Sequence, residues 1–354
     1  MPVPFKPEGV WTALVTPFDK KGKLDSATLK RLIEFQVAQG ITGIVPTGTT
    51  GESPTLSWDE HNQVVEESIV FAQDKVGVLA GSGSNCTDEA IDATRHAREA
   101  GASAALLVDC YYNGPSSLEL RTEYYEQVAA WVPDIPLVPY VIPGRSGTAL
   151  SAEDLAVLHQ TQPKRFPAVK EATGDLERMK LDRNLCGDAI AIMSGDDEMT
   201  LAMMENDYIR ASGVISVMSN IVPGALSRMV GTFRAGDAAS AKRIAGQLDP
   251  LFKLVGCKVP GTRKLPDGRV LNVEEKFRNP VPVKAMMAGL GIPVGCCRRP
   301  LGKMNKAGVE KCRQALLDVF KSAPDFLTPI NQAFSVNVEQ RLNDASVWAP
   351  LARE

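Results

Sequence analysis

The sequence predicts a (β/α)8 barrel with a C-terminal helical domain, and two observations lead to this fold class. Eight short runs rich in apolar and β-branched residues recur every twenty to thirty-five residues, with helix-like segments between most of them. Most of these runs are apolar throughout rather than alternating with polar residues, which is typical of parallel strands covered on both faces. A closed barrel of eight parallel strands accounts for both observations and leaves no exposed sheet edge.

The predicted strands follow one another along the first two thirds of the chain. In order, they are WTALVTPF from Trp11, ITGIVPTG from Ile41, KVGVLAGSG from Lys75, ASAALLVD from Ala102, IPLVPYVIP from Ile135, RFPAVKEA from Arg165, AIAIMSGDD from Ala189 and ASGVISVMS from Ala211. Helix signals lie between them. SWDE (57–60) and SAED (151–154) fit the capping-box pattern, and TDEAIDATRHAREAG ends in Gly101, a residue type favoured just past a helix.

A doubly wound open sheet is the alternative fold. Such a sheet would hold a nucleotide on a glycine-rich turn between a strand and a helix. GSGSNC (81–86) has the first two glycines of that fingerprint and lacks the third. We therefore favour the barrel.

The C-terminal part is helical by pattern from about Pro223. Its segments are PGALSRMVGTFRAGD, AASAKRIAGQLDPLFKLV, NPVPVKAMMAGLG and NKAGVEKCRQALLDVF. We divide the chain into a barrel over residues 1–224 and a helical region over 225–354. Residues 253–275 interrupt the helical pattern, and PDGR (266–269) within them is typical of a hairpin turn.

Composition favours a small-molecule enzyme. The 354 residues are 44% hydrophobic and 23% charged with a net charge of −3, which gives no electrostatic footprint for nucleic acid or an anionic membrane. No run approaches the roughly 18 apolar residues of a membrane span, and the N-terminus lacks the regions of a signal peptide, so we expect a cytoplasmic protein. Seven cysteines without C-x-x-C spacing indicate reduced thiols and no metal site.

Lys170 is the first candidate for chemistry, because it stands near the end of the sixth predicted strand. A lysine is rarely buried without a partner, so one interpretation is an ion pair with Glu171 or Asp175. The other is a Schiff-base nucleophile, because desolvation lowers the pKa of an amine and leaves it free to attack a ketone. The second interpretation is favoured, since active sites of such barrels lie at the carboxyl ends of the strands.

Other polar residues fall at the same end of the predicted barrel. In PTGTTGES (46–53), a glycine-flanked Thr49-Thr50 pair can direct backbone N–H groups and hydroxyls at a carboxylate. A phosphate loop is the rival interpretation, but this loop lacks the G-K-[ST] ending, and Glu52 would repel phosphate. The remaining residues expected to face the cavity follow the fourth to eighth strands or lie within them: Tyr111, Tyr112, Tyr140, Arg145, Gly195 and Ile215.

Six motifs occur in register along the chain: GTTGES from Gly48, YYN from Tyr111, YVIPGRSG from Tyr140, VKEATGD from Val169, SGDD from Ser194 and GVISV from Gly213. Together they resemble the dihydrodipicolinate synthase and N-acetylneuraminate lyase superfamily. The resemblance covers about Gly9 to Ser322, and within the superfamily it is strongest to the dihydrodipicolinate synthases. Each motif alone is only suggestive, but their order and spacing together are specific.

The resemblance implies a role for each matching position. Lys170 matches the lysine that forms an imine with pyruvate. Tyr140, Thr49 and Tyr112 match a proton relay, in which the tyrosine at the position of Tyr112 comes from a neighbouring subunit. Thr50 matches a residue that binds the pyruvate carboxylate. The covalent imine replaces any metal or organic cofactor. The helical region resembles the family's small C-terminal domain, which implies a homo-oligomer, either a dimer or a tetramer, although the same helices could instead only cover the outer surface of the barrel.

The second substrate is narrowed by Arg145. It matches the arginine that binds the carboxylate of L-aspartate 4-semialdehyde in dihydrodipicolinate synthases, and a guanidinium suits that contact. The expected product is 4-hydroxy-tetrahydrodipicolinate, on the route to diaminopimelate and lysine. Alternatives are a 2-keto-3-deoxy sugar acid aldolase or dehydratase and, outside catalysis, a ligand-binding barrel that has lost its chemistry.

The sequence departs from the family pattern at several positions. Val141 stands where asparagine is usual, Asp109 and Cys110 replace Thr-Pro, and the segment 253–275 is an insertion. These departures leave the imine chemistry intact and bear on the choice of aldehyde.

A possible feedback site for L-lysine is also implied by the resemblance. The matching residues could equally serve only to pack the structure, as Trp58 and His61 begin a helix. They are Ser53, Pro54, Trp58, His61, Asn85, Glu89 and Tyr111.

Overall fold

The computed structural model describes residues 3–353, and eight parallel strands close into a barrel in chain order. Each predicted strand overlaps an observed one, so the barrel prediction is confirmed and closure excludes the open sheet. Strand β8 pairs with β1, placing Gly213 opposite Gly9. The strands are β1 (Gly9–Ala13), β2 (Gly43–Val45), β3 (Gly77–Gly81), β4 (Ala104–Val108), β5 (Leu137–Val141), β6 (Ala168–Glu171), β7 (Ala191–Ser194) and β8 (Gly213–Ser216).

Helices cover the outside of the barrel and form the C-terminal region. Ser57 begins α2 with the predicted capping box, and the side chain of Ser151 caps α7. The helices up to β8 are α1 (Ser26–Ala38), α2 (Trp58–Ala72), α3 (Thr87–Ala100), α4 (Ser117–Glu119), α5 (Glu126–Trp131), α6 (Pro143–Ser146), α7 (Ala152–Thr161), α8 (Leu176–Cys186) and α9 (Thr200–Glu205). Those after it are α10 (Pro223–Arg234), α11 (Ala238–Phe252), α12 (Val281–Leu290), α13 (Lys306–Ser322), α14 (Pro329–Phe334), α15 (Val338–Asn343) and α16 (Ala345–Trp348).

None of the helices described here combines the length and apolar character needed to cross a membrane.

Trp11 fills the amino-terminal end of the barrel. Its ring occupies the space left by two glycines at the starts of β2 and β3: a Cβ on Gly43 would lie 2.3 Å from Trp11 Cε3, and one on Gly77 would lie 2.5 Å from Cη2. Phe5 packs edge to face on the indole, with 5.3 Å between ring centroids. Aromatic packing therefore occupies this end, while the polar candidates lie at the carboxyl end.

The insertion is an antiparallel hairpin between α11 and α12. Its strands, β9 (Gly256–Lys264) and β10 (Val270–Arg278), pair from Val270 opposite Lys264 to Arg278 opposite Gly256. The predicted turn at 266–269 lies at its tip, where Leu265 N donates to Arg269 O. The proposed domain division between residues 224 and 225 falls inside α10 and stays a prediction.

A buried ion pair fastens the C-terminal helices to the barrel. Lys284 Nζ, on α12, donates to Glu52 Oε1 at 2.7 Å and to Thr16 O at 3.0 Å. Glu52 Oε2 in turn accepts from the backbone N–H of Arg298 at 2.8 Å. Because Glu52 belongs to the GTTGES loop after β2, the helical region directly supports a loop of the predicted site.

Candidate active site

Strand β6 carries Lys170 into the barrel interior. The strand pairs with β5 so that Lys170 lies opposite Tyr140, and the ammonium lies 3.9 Å from the centroid of the Tyr140 ring. Lys170 is 5% exposed and makes no hydrogen bond or ion pair with a protein group in residues 3–353. A Cβ on Gly195 would lie 3.2 Å from Lys170 Cε, so glycine at that position leaves room for the lysine side chain.

The predicted alternative, an ion pair of Lys170 with an acidic neighbour, is wrong. Side chains alternate along a strand, and Glu171 points to the outer face of the barrel. There its Oε2 lies 3.1 Å from Arg178 Nε. Asp175 caps α8 by accepting from the backbone of Glu177 and Arg178. Both carboxylates are therefore engaged elsewhere.

Burial lowers the pKa of Lys170 to about 7. The charge on Asp197 opposes this shift, and the charge on Arg145 adds to it. Asp197 lies in the loop after β7, where its carboxylate accepts from Ser216 Oγ and from the backbone of Val217 and Met218. Burial also raises the pKa of Asp197, to about 6. A substantial fraction of Lys170 is thus neutral amine near neutral pH.

Tyr140 contacts this amine and also lines an open cavity. The tyrosine is buried, which raises its pKa, while the charge on Arg145 and a hydrogen bond with Thr49 act in the opposite direction. The cavity has a volume of about 200 Å³. Lys170 does not line it but lies against the Tyr140 ring, which does. The predicted residues that line the cavity are Thr49, Tyr140 and Arg145 together with Ser53, Pro54 and Tyr111.

Thr50 and Arg145 are joined by a residue that the sequence reasoning missed. Asn279 Nδ2 donates to Thr50 Oγ1 at 2.8 Å, and its backbone oxygen accepts from Arg145 Nη2 at 3.0 Å. Asn279 lies more than a hundred residues from both partners, directly after the inserted hairpin. The only sequence signal was its place in the Asn-Pro dipeptide that precedes α12. Partial desolvation lowers the pKa of Arg145, which lies in α6.

The other two predicted pocket residues lie in the inner layer of the barrel. Gly195 follows β7, and Ile215 on β8 is buried in the same apolar cluster as Tyr140 and Met193. Gly195 thus comes directly after the strand next to the one that carries Lys170, and Ile215 lies on the strand after that. Neither lines the open cavity itself.

Tyr112 is not brought to the cavity within one chain. Its side chain is 92% exposed, and its backbone has φ of 78°. This left-handed conformation is uncommon for a residue other than glycine and carries strain at functional sites when the surroundings hold it. Tyr111, immediately before it, turns the other way and lines the cavity.

The seven predicted effector residues divide into two groups. Ser53, Pro54 and Tyr111 line the same cavity as the catalytic candidates. The others lie on neighbouring elements, where each already has a contact. Trp58 and His61 are stacked edge to face with centroids 5.0 Å apart, and His61 Nε2 also lies 2.8 Å from Gly81 O. Asn85 Oδ1 accepts a hydrogen bond from Tyr111 N at 2.6 Å. Glu89 Oε2 accepts one from Ser84 Oγ at 2.5 Å.

Within residues 3–353, no cluster of three or more His, Cys, Asp or Glu side chains is placed to hold a metal ion.

Fold and site together define a class of protein: a (β/α)8 barrel whose sixth strand carries a desolvated lysine. Within residues 3–353 this lysine is unpaired, and it contacts a tyrosine that lines the cavity. The chain belongs to the dihydrodipicolinate synthetase family, whose profile matches residues 6–318.

Relatives of known identity cover nearly the whole chain. A 4-hydroxy-tetrahydrodipicolinate synthase from Syntrophobacter fumaroxidans is 39% identical over 310 residues, which is 87% of this chain and 97% of that protein. The solved structure of the 4-hydroxy-tetrahydrodipicolinate synthase from Methylacidiphilum fumariolicum SolV has a TM-score of 0.79 at 32% identity. The match covers 93% of this chain and 100% of that chain. The dihydrodipicolinate synthase of Cyanidioschyzon merolae, solved with lysine bound, has a TM-score of 0.79 at 33% identity. The match covers 88% of this chain and 98% of that chain.

Proposed function

We propose that the protein condenses pyruvate with L-aspartate 4-semialdehyde to give 4-hydroxy-tetrahydrodipicolinate, a step towards diaminopimelate and lysine. The observation that carries the proposal is the buried Lys170 amine, which has no counterion in the part of the chain that the structure describes. A lysine in this state is the nucleophile that a class I aldolase needs, because only the neutral amine attacks a carbonyl. The relatives at 39% identity, named for this reaction, support the choice of substrates.

The reaction follows from the neutral amine. Lys170 Nζ attacks the keto carbon of pyruvate, and water leaves to give the imine. The imine then loses a methyl proton and becomes an enamine, whose carbon attacks the aldehyde carbon of the second substrate. The amino group of that substrate finally attacks the imine carbon, which closes the ring and releases Lys170. No external oxidant, reductant or metal enters these steps.

The residues around Lys170 supply proton transfer and binding. Tyr140 and Thr49 are close enough to relay protons between the imine and the cavity, and we place Tyr112 of a second subunit at the outer end of that relay. Thr50 would bind the pyruvate carboxylate, with Gly195 and Ile215 shaping its pocket. Arg145 would bind the carboxylate of the aldehyde substrate, for which a guanidinium is well suited.

The exposure of Tyr112 supports a homo-oligomer, a dimer or a tetramer. A tyrosine that is 92% exposed in a left-handed conformation has no evident role in a single chain. At a symmetric interface the same side chain could complete the relay of the neighbouring subunit. Sedimentation of the wild type against Tyr112→Phe and Tyr112→Arg tests this, since only the arginine variant should disrupt the interface.

L-Lysine is the proposed feedback ligand at the far side of the cavity. Glu89 could pair with an ammonium group, and Tyr111 would couple the site to its neighbour Tyr112. The lysine-bound Cyanidioschyzon merolae relative supports the assignment. Calorimetric titration with L-lysine should release heat, and added L-lysine should lower the rate of turnover. No heat together with an unchanged rate would reject this proposal.

Borohydride trapping tests the proposed reaction. Pyruvate with borohydride should add one reduced imine to Lys170, located by peptide mass spectrometry, while Lys170→Arg should remain unmodified. Turnover is then measured with pyruvate and a panel of aldehydes. A 2-keto-3-deoxy sugar acid cleaved faster than L-aspartate 4-semialdehyde is consumed would reassign the substrate, and absence of any adduct would reject the imine mechanism.

A further inference from the structure

The inserted hairpin is fastened to the turn that carries Arg145. Arg278, the last residue of β10, donates from Nη1 to Gly144 O at 2.9 Å. In the opposite direction, Arg145 Nη2 donates to Asn279 O at 3.0 Å. Each segment thus gives one guanidinium to a backbone oxygen of the other, although 134 residues separate them in both contacts.

This exchange leaves two guanidinium groups together without a carboxylate. Across residues 3–353, neither Arg145 nor Arg278 is ion paired. A guanidinium has five N–H donors, so each keeps several after its one bond to a backbone oxygen. Partial desolvation lowers the pKa of Arg145, and the positive charge of Arg278 lowers it further. Neighbouring like charges repel, and an anion bound to both would relieve the repulsion.

Nearby acidic side chains are not available to relieve this charge. Glu171 pairs with Arg178 on the outer face of the barrel. Asp197 is held by Ser216 and two backbone N–H groups. Neither carboxylate is therefore free to pair with the two guanidiniums, and Arg145 already lines the cavity that opens beside it.

We propose that Arg278 is a second binding residue for the carboxylate of the aldehyde substrate, acting beside Arg145, and that the hairpin is thereby part of the substrate site. This inference rests on the proposed function. A carboxylate accepts through two oxygens and can bind both guanidiniums at once. Arg278 is exposed, and its charge would also attract the anionic substrate.

The test compares Arg278→Ala with a matched control. Lys276→Ala removes the same charge from an exposed position two residues away on the same strand. Arg278→Ala should raise the KM for L-aspartate 4-semialdehyde roughly tenfold, the loss of one charge-assisted hydrogen bond, and leave the KM for pyruvate and the yield of trapped imine unchanged. Lys276→Ala should match the wild type, and Arg278→Lys should recover part of the affinity.

Three outcomes would overturn the inference. They are an unchanged KM for the aldehyde in Arg278→Ala, an equal rise in Lys276→Ala, or an equal rise in the KM for pyruvate. If the wild type does not turn over L-aspartate 4-semialdehyde, the proposed function fails separately. The role of Arg278 is then tested by calorimetric titration with succinate, a dicarboxylate without an aldehyde. Succinate binding should weaken in Arg278→Ala and persist in Lys276→Ala. Equal binding to the wild type and both variants would reject the role.

Discussion

Two buried lysines lie in different regions of this molecule, Lys170 inside the barrel and Lys284 at the seam with the C-terminal helices. Both are almost inaccessible, at 5% and 2% exposure. Both ammonium groups lie over an aromatic ring, 3.9 Å from the centroid of Tyr140 and 4.4 Å from that of Phe18. They differ in their partners, because Lys284 has a carboxylate at 2.7 Å and Lys170 has none within the described chain.

This difference in partners gives one lysine a structural role and the other a chemical role. A buried charge is costly unless a partner compensates for it, and Glu52 compensates Lys284 while holding the GTTGES loop to α12. Lys170 lacks such a partner, so the cost appears as a pKa lowered to about 7. The barrel thus spends stability to keep an amine reactive, whereas the seam uses the same residue type for attachment.

Removing the unpaired lysine should have the largest effect on activity. Lys170→Met eliminates the nucleophile, so we expect turnover to fall roughly a thousandfold or more. Because no ion pair is lost, the free energy of unfolding at pH 7 should stay equal or rise. Parallel turnover assays and urea titrations measure both quantities. A Lys170→Met protein that is inactive and strongly destabilised would show that the amine has a structural partner after all.

Removing the paired lysine should instead lower the stability of the fold and leave imine formation on Lys170 in place. Lys284→Met leaves Glu52 buried without its cation, which should lower the free energy of unfolding by about 3–5 kcal/mol. Pyruvate trapping on Lys170 should persist in the folded fraction. Glu52→Gln combined with Lys284→Met removes the orphaned charge and should recover more than half of the loss. Urea titration of the three variants gives these values; additive losses in the double variant would contradict a direct pair.

The lowered pKa of Lys170 predicts a pH dependence with a definite sign. Below about pH 7 the amine is protonated, so the rate of imine formation should fall about tenfold per pH unit. The native state binds fewer protons at Lys170 than the unfolded chain between about pH 7 and 10.5, so its contribution to stability should become more favourable as pH rises through that window. Stopped-flow trapping locates the kinetic midpoint; a midpoint near 10 would mean that the amine is solvated.

The sequence predicts the fold and the position of Lys170 well because both depend on local patterns. Apolar runs at regular spacing define the eight strands, and the barrel geometry then places the end of the sixth at the site. The function of each buried lysine depends instead on its partner. Lys284 also stands in an apolar run, VPVKAMMAG, but Glu52 lies 232 residues away, and no local pattern connects them.

The same limit explains what was missed at the cavity. Asn279 joins Thr50 and Arg145 across 229 and 134 residues. Tyr112 stands beside Tyr111 in the sequence, yet only Tyr111 lines the cavity, since a backbone turn with φ of 78° separates their directions. Neighbours in one loop can therefore face different surfaces. Roles that depend on a second chain or a distant loop require the folded arrangement.

The smallest expected effect concerns the outer, partly exposed end of the seam. Glu60 and Arg298 form two contacts of 2.6 Å but keep 31% and 18% of their side chains exposed, so solvent screening limits the pair to about 1 kcal/mol. The hydrogen bond from Arg298 lowers the pKa of Glu60 to about 2, so its contribution should be complete above about pH 4.5 and disappear as the pH falls to 2.

Glu60→Gln should therefore lower the free energy of unfolding slightly at pH 7, and less so in high salt. Asp59→Asn is the matched control, since it removes an exposed charge from the same first turn of α2 without breaking an ion pair among the described residues. Urea titration at two salt concentrations compares them. A loss of stability in Glu60→Gln as large as that in Lys284→Met would contradict this comparison. It would mean that burial, which distinguishes the two ion pairs, does not determine how strongly each pair stabilises the fold.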